Sequence, residues 1–276
     1  MLQIGSYPDP TPVAAIDAAV RFTKPLGARL SALAVQVRIP VRSNSVLARL
    51  MGVGEIVRDE EAKSLAACRA ALDHFARATR EAGIEAEGLI EEEVLEGVAG
   101  HIARRARTRD LCLVPLCPVL DGQPAIVESV IFGAGRPVIV FGTDTAILPG
   151  EGALAVTLAW DGSRSAARAM ADALPVLKLA RQVRVATVGG DKRDPGPRST
   201  EDLLRHLKLH GIDAAHDRIE AEAGSTGAAL DEHARAHGST LLVMGAYGHS
   251  RTQEFILGGV TAHMLQNPKT ALLLSH

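Results

Sequence analysis

Residues 153–163 read ALAVTLAWDGS: a mostly apolar run from Ala153 to Trp160, closed by Asp161-Gly162-Ser163. A continuous apolar run of this length, bounded by turn residues, fits a strand buried on both faces. Downstream, an Ala-rich amphipathic stretch (Ser165 to Leu179) leads to a short β-type run, Val183 to Val188. The Gly/Asp/Pro cluster from Gly189 to Pro197 marks a loop. Thr200 to His210 then reads as a helix that Gly211 stops at a C′ position. Ile212 to Ile219 reads as a strand, Thr226 to His237 as a helix, Thr240 to Met244 (TLLVM) as a buried strand, Val260 to Gln266 as a helix and Thr270 to Leu274 as a last strand. Strands alternating with helices of this length predict a parallel sheet covered on both faces, an α/β doubly wound layer.

The N-terminal half follows the same order. Asp9-Pro10-Thr11 is matched to Asp161-Gly162-Ser163, and Ala28 through Val35 to Arg181 through Val188. Gly83-Ile84-Glu85-Ala86 corresponds to Gly211-Ile212-Asp213-Ala214, and Leu111 through Val114 to Leu241 through Met244. Four matches in one order point to duplication, with chance similarity between two α/β halves as the alternative. The spacing between matched residues falls by 24 between the first pair and the third, which places an insertion within Gln36 to Lys63 of the first half. The division expected is therefore 1–147, carrying that insertion, and 148–276. A lid over a pocket and a dimer contact are both open roles for it.

Length and composition agree. The chain has 276 residues, about two domains' worth. With 47% apolar residues each half can bury a core, which excludes disorder as the main state. Thirty Lys and Arg against 32 Asp and Glu leave a net charge of −2, which argues against a dedicated nucleic-acid or acidic-membrane binder. Aromatics at 3% do not supply base-stacking platforms. Cys68, Cys112 and Cys117 form no CxxC and read as thiols in a reducing compartment, used as small hydrophobes. No secretory signal is legible, and Leu111 to Leu120 holds two prolines and is half the length a bilayer needs, so a cytoplasmic protein without a membrane span is expected.

The two halves differ at one informative place. After TLLVM the second reads Gly245-Ala246-Tyr247-Gly248, nine residues, then Gly258-Gly259-Val260-Thr261; the first has Pro115-Leu116-Cys117-Pro118. A glycine-rich loop leaving the C-end of a parallel strand lets backbone N–H groups approach a phosphate, and a helix start adds unpaired N–H groups with a positive dipole end. Asp161 would lie on the same sheet edge, where a carboxylate can accept from the exocyclic amine of adenine. Two plainer alternatives stand beside this. Asp161 can be a turn residue bonding its own backbone, and the glycines can serve tight helix–sheet packing.

G-x2-G-x9-G followed by a small residue, after a strand ending in Val243-Met244, resembles the ATP-binding signature of the universal stress protein family. Asp161-Gly162-Ser163 at the end of a first strand and the strand order are two further points of similarity, and together they cover essentially the whole chain as a tandem form. The resemblance implies two Rossmann-like α/β domains of five parallel strands each, packed as an intramolecular pseudo-dimer through their last strands. The candidates for that pairing are Pro137 to Phe141 and Thr270 to Leu274. It implies an adenine nucleotide, ATP or AMP, with or without Mg, in the C-terminal domain, and a role in stress response as sensor or regulator. By position, Asp161 would face the adenine and Val188 would line its pocket. Met244, Gly245 and Gly248 would approach ribose and phosphates, and Gly258, Gly259 and Val260 would cradle the phosphates. Family ATP binders have Ser or Thr where this chain has Gly259. The lost hydroxyl removes one hydrogen bond to a charged group, about 1.5–3 kcal/mol, with His249, Arg251 and Thr261 as replacement donors. Asp9 stands without glycines, and Pro115 and Pro118 lack backbone donors, so the first site is expected not to bind ATP.

Other signals have plainer readings. Gly52-Val53-Gly54 does not follow a strand, which argues against a dinucleotide fingerprint. His206/His210 and His233/His237 are i,i+4 pairs, a spacing that can bind metal. No third ligand follows in sequence, so both are expected on solvated helix faces and no metal site is assigned. Glu91-Glu92-Glu93 is expected to be solvated ahead of a helix start. The chain has no GxSxG, P-loop or HExxH motif, no catalytic residue is assigned, and slow ATP hydrolysis at most is expected. A slow ATPase and a nucleotide-free scaffold are the other classes left open, as are an unknown protein partner and a homodimer of whole chains.

Overall fold

The structure, a computed structural model, describes residues 1–40, 52–116, 123–142, 148–189, 195–222, 225–246, 259–266 and 268–276. Ten strands form one sheet: β1 (Leu2–Ile4), β2 (Leu30–Arg38), β3 (Ala86–Val94), β4 (Cys112–Pro115), β5 (Val138–Phe141), β6 (Ala155–Ala159), β7 (Gln182–Gly189), β8 (Ala214–Glu220), β9 (Leu241–Gly245) and β10 (Ala271–Ser275). Their spatial order is β3-β2-β1-β4-β5-β10-β9-β6-β7-β8, and every neighbouring pair is parallel except β5 with β10. The helices are α1 (Val13–Thr23), α2 (Val53–Ala82), α3 (Val98–Ala106), α4 (Gln123–Ala134), α5 (Arg164–Leu177), α6 (Gly196–Leu209), α7 (Thr226–Ala236) and α8 (Gly259–Gln266).

The antiparallel seam carries the symmetry. Leu272 lies opposite Val140, Leu273 opposite Ile139 and Leu274 opposite Val138. Val138 lies beside Cys112 as Leu272 lies beside Leu242, so Ile139 and Leu273 hold equivalent places in the two halves. Each therefore pairs with its own counterpart, and the pseudo-two-fold axis passes between them. Both strands are buried along their length, which keeps two apolar edges from water. Hydrophobic packing divides by sheet face rather than by half. Residues of α1, α2, α5 and α6 join one cluster, and residues of α3, α4, α7 and α8 join the other.

Local sequence sets the helix ends. Ser163 caps α5, its Oγ accepting from the Ala166 N–H at 3.1 Å, and Ala166, Ala169, Met170, Ala173, Val176 and Leu177 then fall on the buried face. Gly211 ends α6 at φ +78°, with its N–H donating to the Lys208 carbonyl and that of Ile212 to the Leu207 carbonyl. Gly83 ends α2 at φ +71° with the same two bonds, Gly83 N–H to the Arg80 carbonyl and Ile84 N–H to the Thr79 carbonyl. This paired Schellman ending explains why Gly-Ile recurs in both halves.

Three expectations change. Helix α6 begins at Gly196, earlier than Thr200. The acidic run Glu91–Glu93, which does precede a helix start, lies inside the edge strand β3 and is ion-paired, with Glu91 and Glu93 half-buried rather than solvated. There Glu91 meets His101 and Arg105, Glu92 meets Arg38, and Glu93 meets Arg104. In the first half, Leu2 lies beside Ala32 and Leu113 as Leu158 lies beside Val185 and Val243. Three residues further along each strand stand Gly5 and Asp161, so Gly5, not Asp9, holds the place of Asp161. The shift arises because the β1–α1 connection runs from Gly5 to Pro12, whereas the β6–α5 connection is only Trp160 to Ser163.

Part of the insertion, 41–51, lies outside the described residues. Its remainder lengthens α2 to 30 residues against 14 in α6. The start of α2 is fastened to the end of β2: Glu61 accepts from the Ile39 N–H at 3.0 Å, and Ser64 Oγ accepts from the Val37 N–H at 2.9 Å. Ser6 Oγ donates to the Val35 carbonyl at 2.6 Å and lies 2.8 Å from Ser64 Oγ. Cys68 and Cys112 are buried free thiols, and burial pushes the Cys112 thiol up to about 11; Cys117 lies outside the described residues.

At the other edge of the sheet Arg184 of β7 grips Asp217 of β8 through two 2.6 Å bonds. The guanidinium, helped by His233, holds the Asp217 carboxyl down at about 2. A carboxyl depressed on folding stabilises above its ordinary range, and that contribution disappears as pH falls from about 4 toward about 2. Asp217→Asn is expected to cost about 2 kcal/mol at neutral pH. Urea unfolding in the presence of EDTA measures it, and the difference from wild type should shrink across that acid window.

Candidate functional site

Helix α5 joins β6 to β7 over one sheet face, while α7 joins β8 to β9 over the other. The helices that follow adjacent β6 and β9, α5 and α8, pack on opposite faces, and the crevice at the C-ends of two such strands is where open α/β sheets take ligands. Asp161 and Gly245 both stand at this crevice.

Asp161 Oδ1 accepts from the Ser163 N–H at 2.9 Å, which is the turn bond open to an Asp-Gly sequence. Gly162 follows at φ +70°, and a Cβ there would meet Pro195 at 3.2 Å. Asp161-Gly162-Ser163 is therefore one capping unit that sets where α5 begins. Gly245 faces the same helix start. A Cβ on it would lie 2.5 Å from the Ala166 nitrogen and 2.5 Å from the Ser165 carbonyl carbon. The missing side chain is accounted for by this approach of the β9 end to the α5 N-terminus, so the packing alternative describes Gly245.

Val188, Met244 and Val260 belong, with Ala159 and Ala246, to the apolar cluster that covers the α7 and α8 face of the sheet and continues into the first half. Gly259 is the exposed first residue of α8, outside the left-handed region, and among the described residues no atom lies within 4 Å of a Cβ built on it. The opening N–H groups of such a helix have no intrahelical acceptor and suit an anion. Gly248, His249 and Gly258 lie outside the described residues, as do Arg251 and Pro118. Ala246, at the root of the glycine loop, donates its N–H to the Ser275 carbonyl at 2.7 Å and accepts at its own carbonyl from His276 Nδ1 at 3.0 Å.

Two features were not assigned from sequence. A cavity of about 570 Å³ opens between α5 and α6, on the face opposite Val188 and Met244, lined by Trp160, Met170, Arg198, Asp202, Leu203 and His206 among others. Trp160 Nε1 donates to Ser199 Oγ at 3.2 Å. The signal available was the chain's one tryptophan, placed directly before Asp161. His233, expected on a solvated face, is 8% exposed, and a partner absent from its own helix, Asp217 of β8, lies 3.0 Å away. Burial pulls the His233 imidazole below its ordinary range, against the opposing pull of Asp217.

A doubly wound, mostly parallel sheet with a switch-point crevice at its edge defines a Rossmann-like α/β protein. Residues 139–276 match the Universal stress protein family, half of the chain, and the protein belongs to that family. A universal stress protein from Archaeoglobus fulgidus DSM 4304 is similar over 99% of this chain and 97% of its own, at 16% identity and a TM-score of 0.70. A functionally unknown protein from Pseudomonas aeruginosa PAO1 is similar over 99% of this chain and 91% of its own, at 14% identity and a TM-score of 0.60. A putative universal stress protein from Pseudomonas aeruginosa UCBPP-PA14 is similar over 91% of this chain and 94% of its own, at 14% identity and a TM-score of 0.52. No curated protein matches the chain. Among the described residues no helix is long and apolar enough to cross a membrane.

Proposed function

We propose that the C-terminal half binds an adenine nucleotide, ATP or AMP, at the C-ends of β6, β7 and β9, and that the chain acts as a nucleotide-responsive regulator in stress. The observation that carries this reading is convergence at the switch point. Asp161 follows β6 and the start of α8 at Gly259 follows β9, the two strands that flank the switch point, and Val188, Met244 and Val260 belong to the apolar layer on the α8 face of that sheet. Adenine would pack against that apolar layer with Asp161 accepting from its amine, and phosphates would take the N–H groups that begin α8. Under this reading residues 148–276 form the nucleotide-binding unit, and 1–147 a partner unit with Gly5 in the place of Asp161 and Pro115 in that of Gly245.

The packing role of Gly245 favours one second reading, a scaffold that binds protein without nucleotide. Small-molecule release separates the two. Protein purified without added nucleotide and then denatured should release ATP or AMP at about one per chain, identified by chromatography and mass spectrometry. Calorimetric titration should show Asp161→Ala weakening ATP by about tenfold, as expected for one lost hydrogen bond to a charged group. No released nucleotide, together with no heat at millimolar ATP, would overturn the proposal in favour of the scaffold.

A further inference from the structure

Away from that edge, Asp217 of β8 and His233 and His237 at the end of α7 bring one carboxylate and two imidazoles together, each offering a ligand atom within 4.8 Å of the others. The i,i+4 spacing puts both imidazoles on one helix face, with ring centroids 4.2 Å apart. His233 is buried; its Nε2 meets Asp217 Oδ2 at 3.0 Å, while its Nδ1 is buried without a hydrogen-bond partner. His237 Nδ1 lies 3.0 Å from the His233 carbonyl oxygen. A carbonyl only accepts, so Nδ1 carries the proton and the Nε2 of the neutral ring is a bare lone pair. A backbone bond of this kind fixes tautomer and ring orientation in ligating histidines.

We propose that Asp217, His233 and His237 bind a divalent transition-metal ion of the zinc class, one nitrogen from each ring and one carboxylate oxygen, with a fourth position left to water. Two imidazoles and a carboxylate suit zinc and its neighbours, whereas magnesium and calcium take all-oxygen sets. Bonds of about 2.0–2.2 Å require the ligand atoms to close to roughly 3.3 Å, a side-chain adjustment led by the half-buried His237. Arg184 opposes the ion. It donates to both Asp217 oxygens, and coordination replaces its bond to Oδ2 and the His233 N–H bond there while Oδ1 keeps the other. The adjacent guanidinium makes this a weaker site than one with four protein ligands. Helix α7 runs back from the C-ends of the strands, so the ion would lie away from the crevice at Asp161 and does not depend on nucleotide binding.

Cobalt(II) titration of the full chain, stripped with EDTA, tests this, with visible absorption reporting four-coordinate geometry and zinc as competitor. One cobalt per chain is expected. His237→Ala should weaken binding by more than about 100-fold, beyond the 10–100-fold typical of losing an outer-shell partner. His206→Ala should leave it unchanged, because among the described residues the His206/His210 pair has no carboxylate completing a ligand set. Arg184→Gln frees the carboxylate and should tighten cobalt binding, a gain that misfolding cannot imitate. Absence of cobalt binding, unchanged affinity in His237→Ala, loss in His206→Ala, or unchanged or weaker binding in Arg184→Gln would each overturn the assignment.

Discussion

Replacing Gly245 by Ala is expected to cost about 3 kcal/mol of stability and to lower the melting temperature by about 10 °C. The added methyl would meet two backbone atoms at 2.5 Å and Ser165 Oγ at 2.7 Å. Only the hydroxyl can rotate away. The backbone atoms open α5, and that helix cannot retreat without breaking its Ser163 cap or pulling Met170 and Ala173 out of the core. Overpacking of this kind costs about 1–3 kcal/mol where side chains can give, and here the obstruction is backbone, which places the substitution at the upper end. Differential scanning calorimetry without nucleotide measures it. A melting temperature within a degree or so of wild type would mean that β9 and α5 approach less closely than described.

Gly259→Ser is expected to act in the opposite sense, tightening ATP by about 10- to 100-fold. The position suits a side chain: among the described residues nothing lies within 4 Å of a Cβ there, and its backbone is not left-handed. A seryl hydroxyl at the first residue of α8 would add a donor beside the open N–H groups. Gly259→Ala is the control, because it fills the same space and rigidifies the helix start equally without a donor. Calorimetric titration of both variants isolates the hydroxyl. Equal affinities for Ser and Ala would show that the start of α8 does not receive a phosphate, whether or not nucleotide binds elsewhere on the edge.

The C-terminal half was legible because its strands are buried on both faces, so ALAVTLAW and TLLVM stand out as unbroken apolar runs between turn residues. Edge strands offer no such contrast. In the acidic run of β3 the half-buried positions, Glu91 and Glu93, are as acidic as the exposed Glu92, and their partners Arg38, His101 and Arg105 come from elsewhere, which leaves no apolar alternation to mark a strand. Asp9 was misplaced because a longer β1–α1 connection moves an acidic residue along the loop while the strand register stays with Gly5. At the site, the residue types were readable but the causes were not. Gly245 is dictated by a helix start far upstream in sequence, and His233 draws its partner from the preceding strand, so neither contact leaves a trace in local spacing.

The self-paired residues Ile139 and Leu273 place the interface of a two-fold dimer inside one polypeptide. Between separate identical chains, that contact would hold only above a threshold concentration, and any substitution would alter both sites at once. Tethering replaces the threshold with a fixed effective concentration and gives each half its own sequence. That independence lets Gly5 and Pro115 stand where the other half carries Asp161 and Gly245. One lobe is thereby free to diverge at these positions while it still shields its sibling's sheet edge, so the molecule is a two-fold pair encoded as one chain.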